Sequence, residues 1–355
     1  MTILRKGFTT GTCAQAATKG ALIMLTQGKS VNSVEVTTPS GVKLRISLIE
    51  QELGDNFAGC AVIKDSGDDP DVTNGAKISA KVRFSQKKGV MIRGGEGVGK
   101  ATKPGLAIGV GEYAINPTPR RMIVEEASKF LSEERTGLDI TIGVKEGEEL
   151  AKKTYNPKLG IMGGISIIGT TGIVEPKSLD AYKASLALQL DVLKAQGYKE
   201  AIFVLGYVGE KFCKEKLKLN GDSVIKIGDH IGFMLQECAK RKIVKVLLIG
   251  HIGKIIKLTN KQFNTHYSFG DKRLESIARY AESFGADREV IEKILNQETA
   301  ESAIPILREA GLSAVFEKIA KDVSRRSEEL VGNILTVNCL ILSLNGELLA
   351  ATNEI

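Results

Sequence analysis

The chain has 355 residues, 43% hydrophobic and 26% charged, with no Trp and with 49 Lys+Arg against 42 Asp+Glu, a formal charge of +7. That length is large for one core and predicts two domains, and the composition argues against disorder. The positive excess favours anionic partners, yet the bases are dispersed and aromatics are only 5%, so a small polyanionic ligand is expected rather than nucleic acid.

Residues 8–27 read as a helix, with Thr9, Thr10 and Thr12 as caps, Cys13, Ala17, Ala21, Met24 and Leu25 on one face, and Gly28 as terminator. Strand-like runs follow at 34–38, 42–49, 57–63, 78–84 and 90–92, the first two joined by the turn Pro39-Ser40-Gly41. Thr118-Pro119 starts a helix with Ile123, Ala127, Phe130 and Leu131 as its apolar stripe, and a strand covers 138–144. Together these predict an α+β domain over 1–150, with a polar linker at 152–157. Beyond it, strands at 164–168, 201–205, 223–227 and 244–249 alternate with helices. This predicts an α/β domain over 158–334 with a parallel, Rossmann-like sheet. Helices fill about 270–331, and 335–355 closes the chain as a hairpin packing on one of the domains.

Four of the apolar runs end on glycine. Three continue as Gly-x-x-Gly, at Gly169-Thr170-Thr171-Gly172, Gly206-Tyr207-Val208-Gly209 and Gly250-His251-Ile252-Gly253, and the fourth is Val224-Ile-Lys-Ile-Gly228-Asp-His230. Ligands of open parallel sheets sit at the carboxyl ends of strands, so these glycines mark a candidate ligand edge; strand-to-helix turns also carry glycine for steric reasons alone. Thr170 and Thr171 suit a carboxylate or phosphate. Gly94-Gly-Glu-Gly-Val-Gly-Lys100 has Walker A spacing, but Ala101 replaces the Mg²⁺-holding hydroxyl and Pro104-Gly105 stops the following helix, so it reads as an irregular loop able to cover a ligand.

Arg120 and Arg121 fall in a first helical turn, and Lys254 and Lys257 follow Gly253. Solvated surface is the bland reading of each; bases set against the helix dipole point to an anionic ligand. His230, His251 and His266 have no ligand spacing, so no bound metal is expected. His251, at a strand end, is the first candidate proton acceptor. The five cysteines are scattered and never form Cys-x-x-Cys, which fits the reduced cytoplasm. No apolar signal region opens the sequence, and the apolar run 334–342 is too short to span a bilayer, so neither secretion nor a membrane is expected. No oligomeric state is legible. Ser-His-Asp, Cys-His and Gly-x-Ser-x-Gly patterns are absent.

Several longer motifs then fall in order: Lys6-Gly-Phe-Thr-Thr-Gly-Thr-Cys13, Gly94 to Gly105, Gly111-Glu-Tyr-Ala-Ile-Asn-Pro-Thr-Pro-Arg120, Gly163 to Pro176, and Gly250-His-Ile-Gly-Lys254 with Asn264-Thr-His266. Together they resemble the cobalt-precorrin-5B C(1)-methyltransferase family of the anaerobic cobalamin pathway, over residues 5 to about 275. The resemblance implies methyl transfer from S-adenosylmethionine to carbon 1 of the macrocycle, giving cobalt-precorrin-6A, with the cobalt carried by the substrate. It directs the methyl donor to Gly169, Thr170, Thr171, Gly172 and Gly206, or alternatively to the loop of Gly95, Gly97 and Gly99. It directs the polycarboxylate macrocycle to Thr9, Thr10, Gly11, Thr12, Lys103, Asn116, Arg120, Arg121, Lys254, Lys257, Asn264 and His266, with His251 and then Glu112 as candidate bases. A non-catalytic tetrapyrrole carrier would share the basic residues, and an NAD-dependent oxidoreductase would want Gly-x-Gly-x-x-Gly, which Gly169 to Gly172 does not supply.

Overall fold

The computed structural model describes residues 4–219, 221 and 223–352, and the chain divides into units Met1–Asp180 and Ala181–Ile355. In the first unit β1 (Gly7–Phe8) leads into α1 (Thr10–Gln27). The Thr9 hydroxyl oxygen accepts the Thr12 amide at 3.3 Å, and Gly28 ends the helix at φ 66°, in the left-handed region. Cys13, Ala17 and Ala21 are fully buried, small enough to let α1 lie close on a sheet. β2 (Ser33–Thr37) and β3 (Lys43–Ser47) pair about the expected turn, with the Gly41 amide donating to the Thr38 carbonyl.

β4 (Ile49–Leu53), β5 (Phe57–Ile63), β6 (Lys77–Ser85), β7 (Gly89–Gly94), β8 (Lys100–Ala101), α2 (Pro117–Ser128), β9 (Gly137–Val144), α3 (Gly147–Ala151), β10 (Ile161–Met162) and β11 (Ile173–Val174) complete the unit. The main sheet has order β4-β5-β6-β9-β7, antiparallel except that β7 runs parallel to β9. Alternate residues Ile78, Ala80 and Val82, then Leu138, Ile140 and Ile142, are buried, the period of two expected of a sheet covered on one face, whereas β5 is buried continuously from Ala58 to Val62, and α1 packs on β5 and β6.

The loop between β5 and β6 is ordered by a buried cation. Lys64, 2% exposed, donates to Asp71 Oδ2 at 2.6 Å and to the Ser66 hydroxyl, while Asp71 Oδ1 accepts the Thr73 amide and hydroxyl. The same loop holds β1 through the Phe8 amide on the Asp65 carbonyl and residue Lys177 through its amide on Asp69.

The expected strand 164–168 belongs to this first unit and not to the parallel sheet. Ile165 and Ile167 make only isolated bridges, to Val98 and Ile115, and the Ile168 amide is taken by the Thr10 hydroxyl. An apolar run alone carries no record of its partner, and loops 97–99 and 114–116 satisfy its backbone. The expected linker at 152–157 is likewise inside the unit: Asn156 is buried and its amide donates to the Gly164 carbonyl at 3.0 Å.

The second unit takes in α4 (Leu179–Ala195), β12 (Glu200–Val204), α5 (Tyr207–Glu215), β13 (Val224–Lys226), α6 (Ile231–Lys240), β14 (Lys245–His251) and α7 (Ile252–Leu258). A 3₁₀ turn (Tyr267–Phe269), α8 (Arg273–Ser283), α9 (Arg288–Leu295), α10 (Ala303–Glu309), α11 (Ala314–Leu330), β15 (Thr336–Leu342) and β16 (Leu348–Ala351) follow. The sheet order is β13-β12-β14-β15-β16; the first four strands are parallel and β16 is antiparallel, so the sheet is mixed. β15 is no appendage: it pairs with β14 from Lys245 opposite Thr336 to His251 opposite Leu342, and Val337, Cys339 and Ile341 are in the core with Phe203, Leu248 and Phe316.

Candidate active site

In the first unit the Thr9-Thr10-Gly11-Thr12 segment is spent on its own fold. Thr10 donates to the Ser166 and Ile168 carbonyls, Thr12 donates to the Gly172 carbonyl at 2.7 Å, and the Gly11 amide donates to the Ile168 carbonyl at 3.0 Å. All four residues are buried, and their polar groups join the α1 N-terminus to the 166–172 segment. Gly169 and Gly172 are glycines for the same contact, since a Cβ at either would fall 2.3 Å from Thr9 Oγ1 or 2.7 Å from Thr38 Cβ. Thr170 and Thr171 remain exposed, and Thr171 borders a groove of about 310 Å³ with Phe8, Val42 and Ile173.

In the Gly94–Gly99 loop the space beside the glycines is taken by the protein itself. A Cβ on Gly97, at φ 65°, would lie 2.0 Å from the Val144 carbonyl, one on Gly99 would meet Ile161, and one on Gly95 would meet Thr141. Lys103 lies along Gly160, and Glu112, exposed, accepts the Gly109 amide at 2.9 Å within its own loop.

The α2 N-terminus differs. Pro117 and Pro119 remove two of its first-turn amides, Asn116 makes no side-chain cap, and Pro119 packs beside Gly11 and Ile168. Arg120 is half-buried there with no ion pair among the described residues, whereas Arg121 reaches Glu125 at 3.7 Å. The guanidinium supplies the positive charge that the missing amides do not.

In the second unit the predicted residues gather at the carboxyl ends of β12, β13 and β14. Lys254 donates to the Leu205 carbonyl at 3.0 Å and pairs with Asp229 Oδ1 at 3.0 Å, and Thr265 donates its hydroxyl to the same oxygen at 2.6 Å. Burial pushes the Asp229 carboxyl up, but Thr265 and Lys254 outweigh it and hold it below the usual carboxylate range. Lys257 is buried and donates to the Thr265 carbonyl at 3.0 Å. Lys257 is therefore committed inside the protein, whereas Lys254, partly exposed, is engaged by Asp229 and the Leu205 carbonyl. Asn264 bridges to His230 and accepts the His266 amide, and exposed His266 contacts Ser268 at 2.8 Å and the Tyr267 ring.

His251 is the N-cap residue of α7 without a side-chain cap hydrogen bond, and its ring and the Arg273 guanidinium both lie within 4 Å of where a Cβ on Gly253 would be. Burial, then the charges of Lys254 and Arg273, lower its pKa to about 4, so the ring is neutral and able to accept a hydrogen bond or a proton at neutral pH. Gly206 differs from the other edge glycines: no atom lies within 4 Å of where its Cβ would be, and its φ of 174° is ordinary extended backbone. Its neighbour Tyr207 is 70% exposed.

Asp229, Thr265 and Arg273 were not singled out from the sequence. The signal for Asp229 was there, an acid directly after the fourth glycine-terminated run, Val224 to Gly228. The five cysteines are free and buried, and burial raises every thiol, Cys213 to about 11 and Cys60 and Cys238 to about 12, which keeps them protonated. Among the described residues no His, Cys, Asp and Glu group is arranged to hold a metal ion, and no helix is long and apolar enough to cross a membrane.

Comparison with known proteins gives two family matches, CbiD over residues 1–176 and CbiD, C-terminal domain, over residues 264–353. A Cobalt-precorrin-5B C(1)-methyltransferase of Methanocaldococcus jannaschii is 46% identical over 347 residues, 97% of this chain and 95% of the relative. One of Alkaliphilus metalliredigens is 41% identical over 351 residues, 99% and 93%. A crystal structure of cobalamin biosynthesis protein (cbiD) from Archaeoglobus fulgidus is 31% identical, covers 79% of this chain and 85% of that one, and superposes with a TM-score of 0.40. With both ends of the chain matched and relatives aligned along nearly all of it, the chain belongs to the CbiD family.

Proposed function

We propose that this protein transfers a methyl group from S-adenosylmethionine to carbon 1 of cobalt-precorrin-5B, giving cobalt-precorrin-6A, in the cytoplasm. The observation that carries the reading is the alignment, over 97–99% of this chain at 41–46% identity, with relatives bearing that activity as their name. S-Adenosylmethionine supplies an electrophilic methyl group, so the protein's task is chiefly alignment and exclusion of water, and no nucleophilic triad is required. The open backbone at Gly206 fits the close approach of such a ligand.

Arg120 and the uncapped Asn116 side chain offer charge-assisted and neutral hydrogen bonds to carboxylates of the macrocycle. His251 accepts the macrocycle proton released on methylation. A polycarboxylate arriving beside Lys254 and Arg273 offsets the charges that depress the imidazole and strengthens it as a base. Glu112 is given no role, because its carboxylate caps Gly109 on an exposed loop.

Incubation with methyl-labelled S-adenosylmethionine and cobalt-precorrin-5B is expected to place label in the macrocycle; folded protein that leaves the macrocycle unlabelled overturns the reading. In the same assay Arg120→Ala should raise the macrocycle KM about tenfold, the cost of one hydrogen bond to a charged group, with the donor KM unchanged. His251→Gln should slow single-turnover methylation by roughly 10²-fold at neutral pH. An unchanged single-turnover rate would remove His251 from proton transfer.

A further inference from the structure

The second unit's sheet changes direction at β12: β13 was added on one side and β14 on the other. Turns leaving adjacent strands toward opposite sides open a crevice at their carboxyl ends, where an open α/β sheet receives its ligand. Here that crevice has an unfilled backbone at Gly206 and one carboxylate, Asp229, tied to it by a shared cation, since the same Lys254 ammonium reaches the Leu205 carbonyl and Asp229 Oδ1, each at 3.0 Å.

Asp229 is held from one side. Oδ1 receives Lys254 and the Thr265 hydroxyl, and the Asp229 carbonyl receives the Thr265 amide at 3.2 Å, whereas Oδ2 has no hydrogen-bond partner among the described residues. An ionised carboxylate is an acceptor only, and with the Asp229 side chain 28% exposed Oδ2 is open to a ligand donor. Phosphate offers none and would be repelled. A sugar diol offers two, and an acid about 20 residues beyond the glycine turn, at the end of the neighbouring strand, stands where such sheets bind ribose hydroxyls.

We propose that Asp229 Oδ2 accepts the ribose hydroxyls of the methyl donor, in a nucleoside site between the Gly206 turn and the loop after β13. Lys254 and Thr265 are positioning residues for that carboxylate. The inference rests on the donor being S-adenosylmethionine and adds where, and through which group, its nucleoside is recognised.

Calorimetric titration of the full chain with S-adenosylhomocysteine and its 2′-deoxy and 3′-deoxy analogues tests it. The unaltered protein should bind at least one deoxy analogue about tenfold more weakly than the parent, and Asp229→Asn should bind the parent about tenfold more weakly while discriminating little against that analogue. Because Asp229→Asn also touches Lys254, Gly206→Val serves as the second variant. Its side chain enters open space on extended backbone, so thermal stability should hold while S-adenosylhomocysteine binding falls by tenfold or more, on the order of one lost charged hydrogen bond. Folded variants with unchanged affinity and unchanged diol discrimination overturn the site. If Gly206→Val still methylates at an unchanged donor KM, the site is wrong and the reaction stands; if the unaltered protein neither binds S-adenosylhomocysteine nor transfers label, both fall.

Discussion

Gly97→Val is expected to yield no stably folded protein. Residue 97 sits at φ 65°, where a β-branched side chain is strained by about 1–3 kcal/mol. The new Cβ would be 2.0 Å from the Val144 carbonyl and 2.9 Å from the Gly147 amide nitrogen, both backbone atoms that cannot rotate away. The packing is reciprocal, for a Cβ on Gly147 or Gly164 would come 2.2 or 2.1 Å from the Gly97 carbonyl oxygen, which also accepts the Ile165 amide. Making room means parting β9 from residues 164–165, and overpacking adds about 1–3 kcal/mol or more to the strain. Against a total stability of about 5–15 kcal/mol, soluble yield and the far-UV circular dichroism melt should both collapse. A variant that melted normally and lost only methyl-donor binding would identify the loop as a donor cradle.

Lys64→Met should cost about 1–3 kcal/mol in urea unfolding at neutral pH, because it leaves the part-buried Asp71 carboxylate without its cation. Burial pushes Asp71 up, and the Lys64 ammonium and the Thr73 donors reverse this, holding it below the usual carboxylate range. In the unaltered protein this depressed carboxyl contributes stability above its unfolded pKa, and that contribution is lost as pH falls through the lower folded value. Without Lys64 the sign inverts, since burial then favours the protonated acid and protonation relieves the defect. The penalty should therefore shrink between neutrality and about pH 4. A penalty that stayed constant over that range would show that the lost lysine stem, and not the orphaned charge, is responsible.

Local structure was legible wherever the deciding contacts are local. The Thr9 cap, the Gly28 terminator, the Pro39-Ser40-Gly41 turn and the alternation of β6 and β9 follow from neighbours a few residues apart. Partner choice was not legible. Ile165–Ile168 and Ile202–Leu205 read alike as glycine-terminated apolar runs, yet one pairs with loops of the first unit and the other with β13 and β14. Glycine was ambiguous for the same reason: at 97, 169 and 172 the space of the missing side chain is filled by the protein, and at 206 it is open, a distinction that lies in the neighbours. The hydrogen bonds of the lysines at 254 and 257 were not legible either, because their carbonyl partners, Leu205 and Thr265, are set by the fold and not by neighbouring sequence.

The β14–β15 pairing has a consequence for synthesis. β14 is translated well before β15, with the whole of α7 to α11 between them, so during elongation β14 has an unpaired edge while its permanent neighbour does not yet exist. The first unit is free to fold as it emerges, as N-terminal domains generally do. The second stays incomplete until 336–342 arrive, and until then the apolar edge of β14 stays open to pairing with other chains.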